Sequence, residues 1–190
     1  MPTFDALVEA CARLLPELGY DKLTTQAIAE RAGVGIGSLY EYFPGKDAII
    51  AVVVERLVER VMTRLTTDLE AILADRSAAD DGVDRWIERL FEIVEAERAL
   101  VAVLLDQVPY TRQLDSLRDL PQTLLDFSER ARVSAGVELR QPSVALILNN
   151  NLVATTILQV VLEPPNGTSR AELIATLSAH VKGLIAGNKP

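Results

Sequence analysis

Residues 24–43 read TTQAIAERAGVGIGSLYEYF, and this stretch decides the fold. Two short helices joined by a glycine-containing turn are the pattern of a helix-turn-helix. Ile28 and Ala29 face inward from the first helix. Leu39 and Phe43, four residues apart, lie on one face of the second helix and anchor it on a core. The stretch therefore predicts a small helical domain that presents its second helix outward.

The outward face of that second helix has a composition suited to DNA. Its residues are Ile36, Gly37, Ser38, Tyr40, Glu41 and Tyr42. Small residues at the start let the backbone approach a duplex closely, and hydroxyls donate to phosphates. Two other interpretations remain open. A plain helical corner would need no DNA, and the two tyrosines would then pack on the domain.

The run GVGIG at 33–37 also suggests a nucleotide-binding loop. It has no glycine at position 38, and it follows a helix rather than a strand. We therefore reject a nucleotide site.

Helical periodicity continues through the rest of the chain, with no alternating strand pattern. The predicted fold is all-α, with about nine helices. The predicted segments are about 7–18, 25–32, 36–43, 46–74, 82–94, 99–107, 121–136, 142–163 and 169–187.

Composition excludes several kinds of site. Cys11 is the only cysteine of the 190 residues, so neither an internal disulfide nor a cysteine-based zinc site is expected. The only histidine is His180, and no nucleophile–base constellation is visible. We expect no metal, no cofactor and no enzyme activity.

The most apolar stretch, 144–162, is long enough to span a membrane. Three adjacent asparagines at 149–151 interrupt it and would be costly inside a bilayer. We predict a buried helix of a soluble, cytoplasmic protein, and residues 1–5 show no targeting pattern.

The stretch 4–53 resembles the N-terminal domain of TetR-family transcriptional regulators. The resemblance rests on GYDKLTTQAIAERAGVGIGSLYEYFPGKDAI, residues 19–49. It implies a helix-turn-helix DNA-binding domain over 1–50 and a helical ligand-binding and dimerisation domain over 51–190.

The resemblance also implies a role for individual positions. The positions that would approach base edges are Gln26, Gly35, Ile36, Gly37 and Ser38. The positions that would contact phosphates are Thr25, Tyr40, Tyr42 and Lys46. Gly35 departs from the Ser or Thr often found at its position, and Ile36 replaces a frequent polar residue, so Ile36 is expected to touch a thymine methyl.

The last two predicted helices are apolar around most of their circumference, so they need partners on several sides. In the family they form a four-helix dimer interface. The interface residues expected here are Leu173, Ala175, Leu177 and Val181. An intramolecular core is the alternative.

Polar residues inside apolar helices are the candidates for an effector pocket, because buried amides need partners. The expected ligand contacts are Asn149 and Asn150, with walls from Trp86, Phe91, Gln107 and Tyr110. The expected effector is small and mostly apolar. Each of these residues taken singly also fits an ordinary core.

The resulting prediction is a homodimeric regulator that reads a palindromic operator in double-stranded DNA and is released by a ligand. The first 50 residues hold only four basic residues against seven acidic ones. This acidity keeps a second prediction open, a helical binding or carrier protein whose N-terminal domain no longer binds DNA.

Overall fold

A computed structural model describes residues 2–75 and 81–188, and in these ranges the chain is helical with no strand. The helices are α1 (Pro2–Leu18), α2 (Thr25–Ala32), α3 (Ile36–Tyr42), α4 (Lys46–Ala74), α5 (Gly82–Ala96), α6 (Arg98–Gln107), α7 (Asp115–Arg118), α8 (Leu120–Ser134), α9 (Pro142–Leu162) and α10 (Arg170–Gly187). The all-α prediction is confirmed. The predicted number of helices was one short, because the four residues of α7 are too few to show a periodicity.

The helix boundaries follow from local capping. The Thr24 side chain accepts a hydrogen bond from the Ala27 amide and starts α2, and Gly33 ends it with a left-handed φ of 69°. Ser169 and Glu172 form a reciprocal capping box at the start of α10. These predicted boundaries are confirmed.

The chain forms two compact units. The first consists of residues up to Arg60 together with Glu97–Asp119, and the second of Val61–Ala96 together with the residues from Leu120 onward. These units differ from the division into 1–50 and 51–190, because α6, α7 and the loop between them belong with the N-terminal helices. The division into 1–50 and 51–190 separates a DNA-binding part from a ligand-binding and dimerisation part, and it stays a prediction.

In the first unit, α1 packs against α2, α3 and α6. Leu7, Cys11 and Leu14 of α1 are buried, whereas Leu18 at its end is exposed. The rings of Phe4 and Phe43 stack with centroids 4.9 Å apart. This packing holds the helix-turn-helix on α1.

In the second unit, α5 packs against α9 and α10. The buried side chains of this cluster are Ile87, Phe91, Val153, Ile157, Val161, Leu177 and Val181. A second cluster joins α4, α5 and α8 through Leu65, Ile93 and Phe127. Each such buried side chain contributes about 1.5–3 kcal/mol of transfer free energy.

The apolar helix α9 is buried on one face only. It has the length and composition of a membrane span, with a mean hydropathy of 1.6 and 28% of its most apolar window buried. Val144, Ile147 and Leu148 are exposed on its first half. The single chain therefore buries one face of this predicted buried helix and leaves the other face uncovered.

Candidate DNA-binding surface and effector region

The helix α3 turns one side to the core and leaves the other open. Leu39 is fully buried, whereas Tyr40 is 54% and Tyr42 is 39% exposed. A Cβ atom added at Gly35 or Gly37 would meet nothing within 4 Å. Packing inside the chain therefore does not require glycine at these positions, and the bare backbone lies open to a partner from outside.

A hydrogen bond ties the two helices of the motif together. Thr25 Oγ1 lies 3.1 Å from the Tyr40 hydroxyl. Gln26, predicted to read a base, donates from Nε2 to Glu30 at 2.7 Å. Its amide hydrogens must therefore leave Glu30 before they can bind a base.

The other predicted DNA contacts of α3 differ in exposure. Ile36 and Ser38 are half-buried at its start. The Tyr42 ring meets the edge of Phe4, with centroids 6.2 Å apart. Tyr42 thus packs partly on the domain, as the alternative interpretation required, and still exposes part of its ring.

Lys46 is engaged within the chain. Its Nζ donates to the carbonyl oxygens of Tyr20, at 2.7 Å, and of Leu23, at 3.1 Å. The same ammonium lies 4.1 Å from the centroid of the Tyr20 ring. An ammonium has three hydrogens, so one is left for a phosphate.

Most cations of the first unit form ion pairs within the chain. The pairs are Arg13–Glu9, Arg31–Glu17, Arg56–Asp5, Arg60–Glu97, and Arg118 with Asp115 and Asp119. Among residues 2–75 and 81–188, no partner contacts Lys22. Attraction to phosphate therefore comes from few free charges on this unit.

Asp47, the residue after Lys46, joins three segments of the first unit. Its Oδ1 accepts hydrogen bonds from the hydroxyls of Tyr20, at 3.0 Å, and Tyr110, at 2.9 Å. The Gln107 Oε1 accepts from the Tyr20 amide at 3.1 Å. Burial first, and then the bond to Asp47, raise the pKa of both tyrosines above the ordinary value.

The residues predicted for the effector pocket are divided between the two units. Gln107 and Tyr110 belong to the first unit, whereas Trp86, Phe91 and the two asparagines belong to the second. Gln107 and Tyr110 contact Tyr20 and Asp47, which no sequence pattern had singled out. Their partners lie 87 and 63 residues away along the chain, so no local pattern of residues indicates these contacts.

The remaining effector candidates lie on α5 and α9. Trp86 stacks on Phe127 with ring centroids 5.7 Å apart, and Phe91 is fully buried in the core. Asn150 Oδ1 accepts a hydrogen bond from Ser128 at 2.9 Å. The Asn149 Oδ1 and Asn150 Nδ2 atoms are buried and have no hydrogen-bond partner among the described residues. One acceptor and one donor are thus left unsatisfied on consecutive residues of α9.

An open groove of about 430 Å³ runs along α5 and α10. Its lining residues are Asp84, Glu88, Ala171, Ile174, Ala175, Ala179 and Lys182. Lys182 Nζ lies 2.6 Å from Asp84 Oδ2, and this hydrogen bond holds the pKa of Asp84 below its ordinary value. The groove contains none of the predicted effector contacts.

The predicted dimer residues separate into two groups. Leu177 and Val181 are buried in the core of their own chain, and Leu173 packs against the same cluster. The burial of Leu177 and Val181 agrees with the alternative of an intramolecular core, because α10 turns these side chains toward α5 and α9. Leu173 is half-buried and stays a predicted interface residue. Ala175 instead lies on the exposed side, with Ala171 and Ala179.

Comparison with known proteins gives a matching family and a similar regulator. Residues 7–53 match the family described as bacterial regulatory proteins, tetR family. The HTH-type transcriptional regulator YvdT of Bacillus subtilis (strain 168) is 22% identical over 161 residues, which are 83% of this chain and 78% of that protein.

Two solved structures show the same fold over nearly the whole chain. A TetR-family transcriptional regulator from Mesorhizobium loti superposes with a TM-score of 0.77 at 17% identity, covering 99% of this chain and 97% of the other. The regulator FadR from Bacillus subtilis, solved with stearoyl-CoA, gives 0.64 at 18% identity, covering 97% and 98%.

Proposed function

We propose that this chain, which belongs to the TetR family of transcriptional regulators, is a repressor that binds a palindromic operator as a homodimer and is released by a small apolar effector. The observation that supports this most directly is the open face of α3. On this face no side chain covers the backbone of the glycines, and the tyrosines are exposed. These residues lie within the stretch that matches the family. A helix of this kind enters the major groove in helix-turn-helix proteins.

The dimer is supported by apolar surface that the single chain leaves uncovered. Val144, Ile147 and Leu148 are exposed on α9, and exposed alanines line one side of α10. A second copy of the chain would cover these faces, since small side chains let two helices approach closely. Two subunits would then place two α3 helices on half-sites about one DNA turn apart.

The effector is supported by two unsatisfied polar atoms of the second unit, Asn149 Oδ1 and Asn150 Nδ2. Buried amide atoms normally have partners, and a ligand with one donor and one acceptor would supply them. The FadR structure was solved with a ligand that carries a long apolar chain, which agrees with an apolar effector. The protein would act in the cytoplasm, without catalysis.

Selection of duplexes from a random library tests the proposal. The purified chain is expected to enrich one palindromic motif and to bind it at least 10³-fold more tightly than random DNA. A matched variant, Gly37→Glu, should lose the enrichment and keep the fold, because a side chain at position 37 has free space within the chain. If the wild type enriches nothing, the carrier interpretation, which the paired cations of the first unit favour, replaces the repressor.

A further inference from the structure

One acidic side chain lies on the DNA-facing side of α3. Glu41 is exposed, and it follows Gly37 by four residues. Residues four apart share a helix face, so Glu41 lies over the same open side as that bare glycine backbone. The buried Leu39 is two positions away and points to the opposite side, into the core.

No residue among 2–75 and 81–188 neutralises this carboxylate. The hydrogen bonds and ion pairs of the first unit engage Glu9, Glu17, Glu30 and Glu97, and none engages Glu41. The arginines that pair with Glu9, Glu17 and Glu97 are engaged in those pairs, and Glu30 accepts a hydrogen bond from Gln26. In the DNA complex, Glu41 must therefore find its partner on the DNA or remain a repulsive charge.

The chemistry of DNA restricts that partner. An ionised carboxylate only accepts hydrogen bonds, and phosphate oxygens have none to donate. In the major groove the donors are the amino groups of cytosine and adenine. Adenine places its N7 acceptor beside its amino group, which repels a carboxylate, whereas cytosine presents a donor alone.

We infer that Glu41 is a specificity-determining residue that accepts a hydrogen bond from the N4 amino group of a cytosine in each half-site. This inference rests on the proposed operator binding. The same charge repels phosphates wherever that cytosine is missing, so it weakens binding to random DNA. The acidic side chain thereby increases the discrimination between operator and random DNA, and it lowers the overall affinity for DNA.

The experiment compares the wild type with Glu41→Gln, Glu41→Ala and a charge-matched control, Glu55→Gln. Glu55 is exposed on α4 and has no partner among the described residues. Each protein is selected against random duplexes, and its affinity is then measured on the selected operator with every base pair replaced in turn. Circular dichroism checks that the variants are folded, as expected for an exposed position.

The wild type should prefer cytosine at one position of each half-site by roughly 5- to 150-fold. Glu41→Gln should shift that preference to adenine, because a glutamine amide matches both the N6 and N7 atoms. Glu41→Ala should lose the preference at that position alone. Glu55→Gln should keep the wild-type preference.

Two results would overturn the inference. If all four proteins share one set of base preferences, and Glu41→Ala binds every duplex more tightly by the same factor, Glu41 only repels DNA and the proposed operator binding stands. If the wild type selects no sequence at all, both the inference and the proposed function fail.

Discussion

Tyr110 donates a hydrogen bond from its hydroxyl to Asp47 Oδ1 at 2.9 Å across 63 residues of sequence. The Tyr20 hydroxyl donates to the same oxygen at 3.0 Å. Asp47 belongs to the first turn of α4, directly after the motif that carries α3. The bond therefore fastens the segment between α6 and α7 to the DNA-binding helices of the first unit.

Removing one hydroxyl tests this bond. Tyr110→Phe should lower the free energy of unfolding by about 1–2 kcal/mol, since it deletes a hydrogen bond to a charged acceptor in a partly exposed place. Urea titration measures the change. Tyr42→Phe is the control, because no described residue bonds its hydroxyl. Equal losses in the two variants would show that the Asp47 bond contributes nothing.

Alkaline pH should weaken the fold through the same residues. Burial and Asp47 raise the pKa of Tyr110 above the ordinary value near 10, so the folded state holds its proton longer than the unfolded state. This contribution is complete below about pH 10 and declines as pH rises further. Urea midpoints from pH 8 to 11 should fall less steeply in Tyr110→Phe; identical slopes would contradict the assignment.

Lys46→Ala should weaken binding to operator and random DNA by similar factors. The one ammonium hydrogen left over from Tyr20 and Leu23 is expected to contact phosphate, which carries no sequence information. A dimer would lose two contacts, so the slope of log affinity against log salt should shrink by roughly 2. Stability should fall too, because two carbonyls lose their donor. An unchanged slope would remove Lys46 from the DNA surface.

Ala175→Arg should separate the subunits and leave each one folded. Ala175 is exposed on α10, so the single chain accommodates a long side chain, whereas a close helix crossing would bury an unpaired charge. Light scattering should report a monomer with native helix content. Leu177→Ala is the contrast: it should destabilise the fold by about 2–5 kcal/mol, because Leu177 is packed in its own chain. A dimeric Ala175→Arg protein would refute this interface.

Trp86→Phe should retain operator binding and change effector affinity. Trp86, the only tryptophan, stacks on Phe127 in the second unit. An effector beside this pair should change the indole emission over the concentrations that release DNA. If an authentic effector leaves both the emission and the variant's affinity unchanged, Trp86 is an ordinary core residue.

Sequence reasoning succeeded where the cause is local. Thr24 and Gly33 mark the two ends of α2, and Ser169 with Glu172 caps the start of α10. Each cap involves residues only a few positions apart. The motif was equally visible, since the spacing from Leu39 to Phe43 fixes which side of α3 is buried.

Sequence reasoning failed where segments that are distant along the chain come into contact. A helix as uniformly apolar as α10 does not show which face turns inward, so Leu177 and Val181 were assigned to a partner instead of their own core. The hydrogen bond from Tyr110 to Asp47 is likewise not predictable from the sequence, because the two residues are 63 positions apart. The hydrophobic periodicity of a sequence does not indicate either kind of contact.

The most direct test of operator binding by a dimer is a hydroxyl-radical footprint on the selected duplex, with the wild type and Ala175→Arg side by side. The wild type should protect two symmetric segments whose centres lie about one helical turn apart, and the protection should disappear in the variant at the same concentration. A single unsymmetric protected segment, or protection that persists in a monomeric variant, would contradict a dimer that reads two half-sites.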